Sequence, residues 1–232
     1  MKLLLVWNSI HDYQNFLSNL DSYENENQDD FLLQINNISD QISRLHYIFF
    51  EGIHVYSLIG GYSSEESAFF TSRVLQLMRF NLVIQIGIAY ALQPSSKDQN
   101  IICVVNDKPW GFHSESDGDL FPIIYKGDWP QKMGGFVNMT NAYFNIFLEI
   151  TKVASLTIPS FQLLKIPSVE EKIKSMKVHT LSTNGWGFHY SCLYFRQPFY
   201  QIRFTREFEK INQKEIFINE INQIIGLIKL IS

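Results

Sequence analysis

Leu82-Val83-Ile84-Gln85-Ile86-Gly87-Ile88-Ala89 runs for eight residues without a charge and with Gln85 as its one polar side chain. A strand with one solvated face alternates apolar and polar residues, whereas a strand covered on both faces reads as a continuous apolar run. The run is far short of the ~20 residues that span a bilayer. It therefore belongs to a buried strand in a sheet flanked by helices on both sides, which makes the chain an α/β layer protein. Lys2 to Val6, Phe31 to Ile38, Tyr47 to Ile59 (interrupted at Gly52), Asn100 to Val105 and Ala154 to Ile158 read as further strands. Pro198 to Phe204 reads as another, ending near the acidic Glu207.

Helices fall between them. Phe16, Leu17 and Leu20 give Tyr13 to Leu20 an apolar stripe at helical spacing. Gly60-Gly61-Tyr62-Ser63-Ser64-Glu65-Glu66 reads as a turn into a helix reaching about Arg79, capped by serine, with two glutamates in its positive first turn. Thr140 to Glu149 reads as helical, Ser168 to Met176 as a short helix capped by its serine, and Lys214 to Ile231 as a closing amphipathic helix. A further helix starts close to Gly185, after the small-residue turn Ser182-Thr183-Asn184. Asp21 to Asp30 reads as an exposed acidic loop, and Lys108 to Gly135 as a long irregular one. No linker or repeat divides the 232 residues, so residues 1–232 form one domain. The expected architecture is a three-layer α/β/α fold with a largely parallel mixed central sheet.

Charge narrows the partners. A formal net charge of −4, with dispersed Lys and Arg, argues against binding a nucleic-acid polymer, which wants a basic face. The apolar start Met1 to Val6 passes at once into Asn8, Ser9, His11 and Asp12, so it reads as a strand and not as a secretory signal. No stretch is long and apolar enough for a membrane helix. Cys103 and Cys192 each lie in an apolar stretch and read as reduced core thiols of a cytoplasmic protein. The six histidines lack the spacing of a helical zinc site, and no metal is expected.

In α/β sheets ligands collect beyond the carboxyl ends of the strands. That rule selects Asp12, Gly60-Gly61, Gly87, Asn106-Asp107, Ser182 to Asn184 and Glu207. In order, these segments resemble the nucleoside phosphorylase and nucleosidase superfamily, and within it the futalosine hydrolases of menaquinone synthesis. Met1 to Asp12 is similar to the family's first strand and loop, which ends in a catalytic glutamate. Val83 to Ala89 is similar to its strand ending in Asn-x-Gly-x-Ala, with Gln85 in place of Asn. Gly111 to Asp119 resembles an acidic glycine loop, and Asn184-Gly185 through Gln201-Ile202-Arg203 resembles the Glu-Ser-Met-Glu-Gly helix entrance and Pro-Phe-x-Gln-Ile-Arg strand.

The resemblance implies a nucleoside phosphorylase-like fold and cofactor-free hydrolysis of the N-glycosidic bond of a purine-type nucleoside. It also implies a homo-oligomer, dimer or larger. By position, Asp12 would activate water and Glu207 would address the base. Gly61, Gly87, Asn106, Ser182, Thr183 and Asn184 would meet the nucleoside. The departures fall on the same places: Leu181-Ser182-Thr183-Asn184 stands where the family has Glu-Ser-Met-Glu, and Phe204-Thr205-Arg206-Glu207 follows Arg203. Each candidate therefore has a second reading. Asp12 can be a solvated helix-capping aspartate, Glu207 a surface charge, Asn184 a helix N-cap, and Trp186 and Phe188 core aromatics and not a base pocket. A catalytically inactive relative that binds a nucleoside or a protein partner is the alternative to the nucleosidase.

Overall fold

The computed structural model describes residues 1–20, 44–92, 100–110, 150–175, 178–207 and 216–232. The expected strand at 31–38, the loop at 21–30, residues 111–135 of the loop expected at 108–135, and the helix at 140–149 lie outside them; the first residues of that loop are instead strand, because the strand expected at 100–105 continues to Pro109.

In chain order the elements are β1 (Lys2–Trp7), α1 (Ile10–Ser18), β2 (Leu45–Phe50), β3 (Ile53–Ile59), α2 (Ser64–Leu77), β4 (Leu82–Ala91) and β5 (Ile101–Pro109). Then follow β6 (Thr151–Thr157), a 3₁₀ turn (Phe161–Lys165), α3 (Pro167–Ser175), β7 (Thr180–Ser182), α4 (Gly185–Tyr194), β8 (Phe199–Arg206) and α5 (Ile218–Ile231). The sheet runs β2-β3-β1-β4-β7-β6-β5-β8, and β8 also pairs with β4. The pairings β1–β3, β1–β4, β4–β8, β5–β6 and β6–β7 are parallel, while β2–β3, β4–β7 and β5–β8 are antiparallel. The largely parallel mixed sheet is as the sequence predicts, and β4 through β8 close on one another as a small barrel at one side.

Every residue of β4 is buried, which is why it reads as an unbroken apolar run. One face of the sheet packs on α1 and α5, where Trp7 and Phe16 meet Ile221, Ile224 and Ile228. The other packs on α2 and α4, with Tyr56, Val74, Phe188 and Phe199 in a second core.

Tyr47 to Ile59 breaks at Gly52 as expected, and the break is a hairpin turn: Glu51 and Gly52 both take positive φ, at 52° and 76°, the backbone of a two-residue turn. Other boundaries differ from the sequence reading for identifiable reasons. α1 starts at Ile10 because the Ser9 hydroxyl accepts from the Asp12 amide. α3 starts on Pro167, whose missing N–H costs nothing in a helix's first turn, so Ser168 lies inside the helix and does not cap it.

Candidate functional site

The carboxyl ends of β1, β3, β5, β6 and β7 and the middle of β4 and β8 bring a set of polar side chains together in a largely buried network. At its centre Arg203 of β8 has no solvent exposure. Its Nη2 donates to Gln85 Oε1 on β4, and Gln85 Nε2 donates to Ser67 Oγ on α2 at 3.2 Å. Gln85 therefore earns its place in the apolar strand by holding a buried guanidinium. Arg203 Nε and Nη1 find no hydrogen-bond partner among the described residues. Nη1 and the Asn8 carboxamide crowd Gly87, where an added Cβ would stand 2.1 Å from Nη1 and 2.8 Å from Asn8 Nδ2. Burial pulls the Arg203 pKa down to about 10, and the charge of Asp107 works against that fall.

Asn184, the residue before α4, does not cap the helix with its side chain. Its Nδ2 instead donates to Asn8 Oδ1 at 2.7 Å and to the Gly61 carbonyl at 2.8 Å, joining the ends of β1 and β3. Capping falls to neighbours. Ser182 Oγ accepts from the Gly185 amide at 3.3 Å, and Thr157 Oγ1 accepts from the Trp186 amide at 2.8 Å. Thr183 Oγ1 donates to the Tyr62 carbonyl at 2.6 Å, drawing the same loop onto the turn before α2.

Asp107 underlies this loop. A β-bulge between Val104 and Asn106 shifts the β5–β6 register, as bulges beside sites do when they re-aim side chains. Asp107 Oδ1 accepts from Thr157 Oγ1 and Oδ2 from Gln201 Nε2, both at 2.8 Å. Burial pushes its carboxyl up to about 6, while the Gln201 and Thr157 hydrogen bonds and Arg203 hold it from rising further. Asn106 is half-buried, and its Oδ1 is enclosed without a hydrogen bond among the described residues.

The structure thus brings Gly61, Gly87, Ser182, Thr183 and Asn184 into one neighbourhood, with Asn106 next to its edge at Asp107. Asp12 is placed differently. It is buried and not solvated, and its carboxylate accepts from Ser9 Oγ at 2.8 Å and from the Ile216 amide at 3.2 Å, toward the start of α5. Glu207 is exposed just past β8. Phe188 is core, packed edge-on to Phe199, and Trp186 is half-buried beside Tyr190. Sequence reasoning missed Asn8, Gln85, Thr157 and Arg203 as a connected group. The polar Gln85 in an otherwise apolar strand was the available signal. Among the described residues no cluster of three or more His, Cys, Asp or Glu is placed to hold a metal ion. Cys103 and Cys192 are both buried and free. No described helix is long and apolar enough to cross a membrane.

No protein-family model matches the chain, and no curated protein matches its sequence. Solved structures do match it. Helicobacter pylori 5′-methylthioadenosine/S-adenosyl homocysteine nucleosidase aligns with a TM-score of 0.71 at 10% identity, over 98% of this chain and 97% of that one. A putative nucleosidase of the same kind from Francisella philomiragia gives 0.69 at 12% identity, over 98% of each chain. Futalosine hydrolase of Helicobacter pylori gives 0.65 at 10% identity, over 89% of this chain and 84% of that one. A mutant of the first enzyme holds 5′-methylthioadenosine in its active site. At such identities the likeness is one of architecture: this chain has the nucleoside phosphorylase and nucleosidase fold.

Proposed function

We propose that the protein hydrolyses the N-glycosidic bond of a purine-type nucleoside, as a nucleosidase of the futalosine hydrolase type. The observation that carries this reading is Arg203, a guanidinium with no solvent exposure whose Nε and Nη1 have no acceptor among the described residues. Buried donors are almost always satisfied, and a charged one left unmet is costly. An oxygen-rich ligand at the strand ends, flanked by Asn8 and Asn184, supplies the missing acceptors. In this reading Asp12 orients a water toward the anomeric carbon, Asn184 meets a ribose hydroxyl and Glu207 addresses the departing base. Gly61, Gly87, Asn106, Ser182 and Thr183 shape the sugar side. The neutral Asn184 forms weaker bonds to the sugar than a carboxylate would. Membership of menaquinone synthesis rests on the sequence resemblance alone.

A second reading has an observation of its own. The Asp12 carboxylate is directed at Ser9 and Ile216, and the Asn184 amide is spent on Asn8 and Gly61. A protein that binds a nucleoside without cleaving it needs neither group free. Incubation with futalosine, 5′-methylthioadenosine, adenosine and inosine, with free base followed by chromatography, separates the two. Release abolished by Asp12→Asn supports the nucleosidase. Thermal stabilisation by a nucleoside without release supports the binder, and about 2.7 kcal/mol is expected at 100 times the dissociation constant. Neither release nor stabilisation rejects both.

We also propose that the homo-oligomer implied by the resemblance forms through α2 and α4. There Phe69 and Tyr194, 66% and 57% exposed, border a groove of about 730 Å³ with Glu65 and Arg73 on its wall. A two-fold axis would set Glu65 of one copy against Arg73 of the other. Sedimentation of Phe69→Glu at the wild-type mass would reject this face.

A further inference from the structure

Asp107 is fully buried beneath the entrance to α4. The approach is close enough to demand glycine: a Cβ on Gly185 would lie 2.1 Å from Asp107 Oδ2, 2.2 Å from Gln201 Nε2 and 2.8 Å from Ser182 Oγ. The two bonds to the carboxylate have a direction. Ionised, it can only accept, so Thr157 Oγ1 must point its single proton at Asp107. That leaves the oxygen lone pairs of Thr157 for the Trp186 amide at 2.8 Å and the Ser182 hydroxyl at 3.2 Å. Ser182 in turn accepts from the Gly185 amide. The negative charge thus reaches the positive end of α4 through two hydroxyls.

We propose that Asp107 is a positioning residue whose charge fixes the hydroxyl relay through Thr157 and Ser182, and so holds the Ser182–Asn184 loop in the geometry that meets a nucleoside. The proposal rests on the reading above that this loop faces the ligand. Protonation reverses the relay. A neutral carboxyl has one donor, and once it donates to Thr157 that hydroxyl must turn its proton onto Ser182 Oγ, because the Trp186 amide is itself a donor. Ser182 then accepts from Thr157 and from the Gly185 amide at once, its own proton is turned off Thr157 and loses that acceptor, and the hydroxyl at the turn before α4 is reoriented. Among the described residues, Arg203 and His189 are the charged or titratable groups that bear on the cluster from neighbouring elements. Arg203 on β8 attracts the carboxylate, and His189 on α4 contacts the far side of Gln201, Nδ1 to Oε1 at 3.3 Å.

The test reads the loop and the ligand separately. Backbone ¹⁵N–¹H signals of Gly185 and Trp186 are followed from pH 5 to 8 in the wild type, Asp107→Asn and His189→Gln. Both amides are expected to shift with one shared midpoint near 6 in the wild type and His189→Gln, and to stay fixed in Asp107→Asn. Amides that do not move, or a transition that survives Asp107→Asn or disappears with His189→Gln, overturn the relay. In the second arm, 5′-methylthioadenosine affinity is measured at pH 5.2 and 7.5. The wild type is expected to bind roughly two- to tenfold more weakly at the lower pH, the loss of one neutral hydrogen bond. Thr157→Val, of similar shape but without the relay oxygen, is expected to bind weakly at both. Equal wild-type affinity at the two pH values overturns the positioning role. Titrating amides with no binding at either pH support the relay and overturn the nucleoside-site reading.

Discussion

Asn184 donates both of its side-chain bonds to oxygens, Asn8 Oδ1 and the Gly61 carbonyl, at 2.7 and 2.8 Å. The second acceptor is backbone and cannot be reversed. A carboxylate at this position would face that carbonyl with no proton to offer, and its burial would carry a further desolvation cost. The surroundings of Asn184 are therefore built for an amide donor, which gives a physical reason for the absence of glutamate here. Asn184→Asp is expected to lower stability by about 1–3 kcal/mol, read as a reduced urea midpoint at unchanged slope. Stability equal to wild type would mean that Asn184 is free to reorient toward a ligand.

Gln85 is the main hydrogen-bonding partner of the Arg203 guanidinium, and Ser67 holds Gln85 from behind. Gln85→Leu preserves bulk in a fully buried strand but leaves the charge without an acceptor. A cost of about 3–5 kcal/mol is expected. Replacing both partners with apolar groups removes the orphaned charge, so Gln85→Leu combined with Arg203→Met should be less destabilised than Gln85→Leu alone. A double mutant worse than the single would show that Arg203 contributes chiefly through Asp107.

Arg206 forks onto Glu220, Nη1 to Oε1 and Nη2 to Oε2, each at 2.6 Å, and its guanidinium lies 4.5 Å from the centre of the Phe217 ring. Both side chains are nearly buried. The pair ties the end of β8 to the first turn of α5, where Glu220 also accepts from the Phe217 amide. Arg206→Ala should cost about 3–5 kcal/mol by stranding the carboxylate. Arg206→Lys keeps the charge but loses the fork and should fall between, measured by urea unfolding.

The layers of this fold were legible because burial writes itself into periodicity. β4 is covered on both faces and reads as an unbroken apolar run, and Ser63 announces the start of α2 by capping chemistry that needs only local sequence, whereas α1, capped by Ser9, begins at Ile10, ahead of the start expected at Tyr13. The hairpin at Glu51-Gly52 was harder, since glutamate seldom takes positive φ and no Asn-Gly or Asp-Gly signal marks the turn. At the site, candidate positions could be listed from the strand-end rule, but their partners could not. Asp107 to Gln201 and Asn8 to Asn184 span separations of 94 and 176 residues, and nothing local in either segment encodes the contact. The bulge that aims Asp107 is likewise a property of the β5–β6 pairing and not of β5 alone.

The same Asp107 makes a stability prediction with a definite sign. Its carboxyl is raised by burial from 3.8 to about 6, so the folded state holds its proton more tightly than the unfolded chain does. Between those values the native protein carries the extra proton, and stability contributed by this group falls as pH rises. The ionised form is the costly one in the fold, fully so above about pH 7 and not at all below the unfolded value. Lowering the pH from 7 to 5 should therefore stabilise the wild type by about 1.4 kcal/mol relative to Asp107→Asn, in which every other group titrates alike. Arg203, held near 10, does not change charge in this window. Urea midpoints of the two proteins at pH 5, 6 and 7 measure the difference. A gap that stays flat, or that moves against the wild type on acidification, would mean that attraction to Arg203 outweighs burial and keeps Asp107 ionised throughout. In that event the Thr157 relay could not reverse near neutral pH.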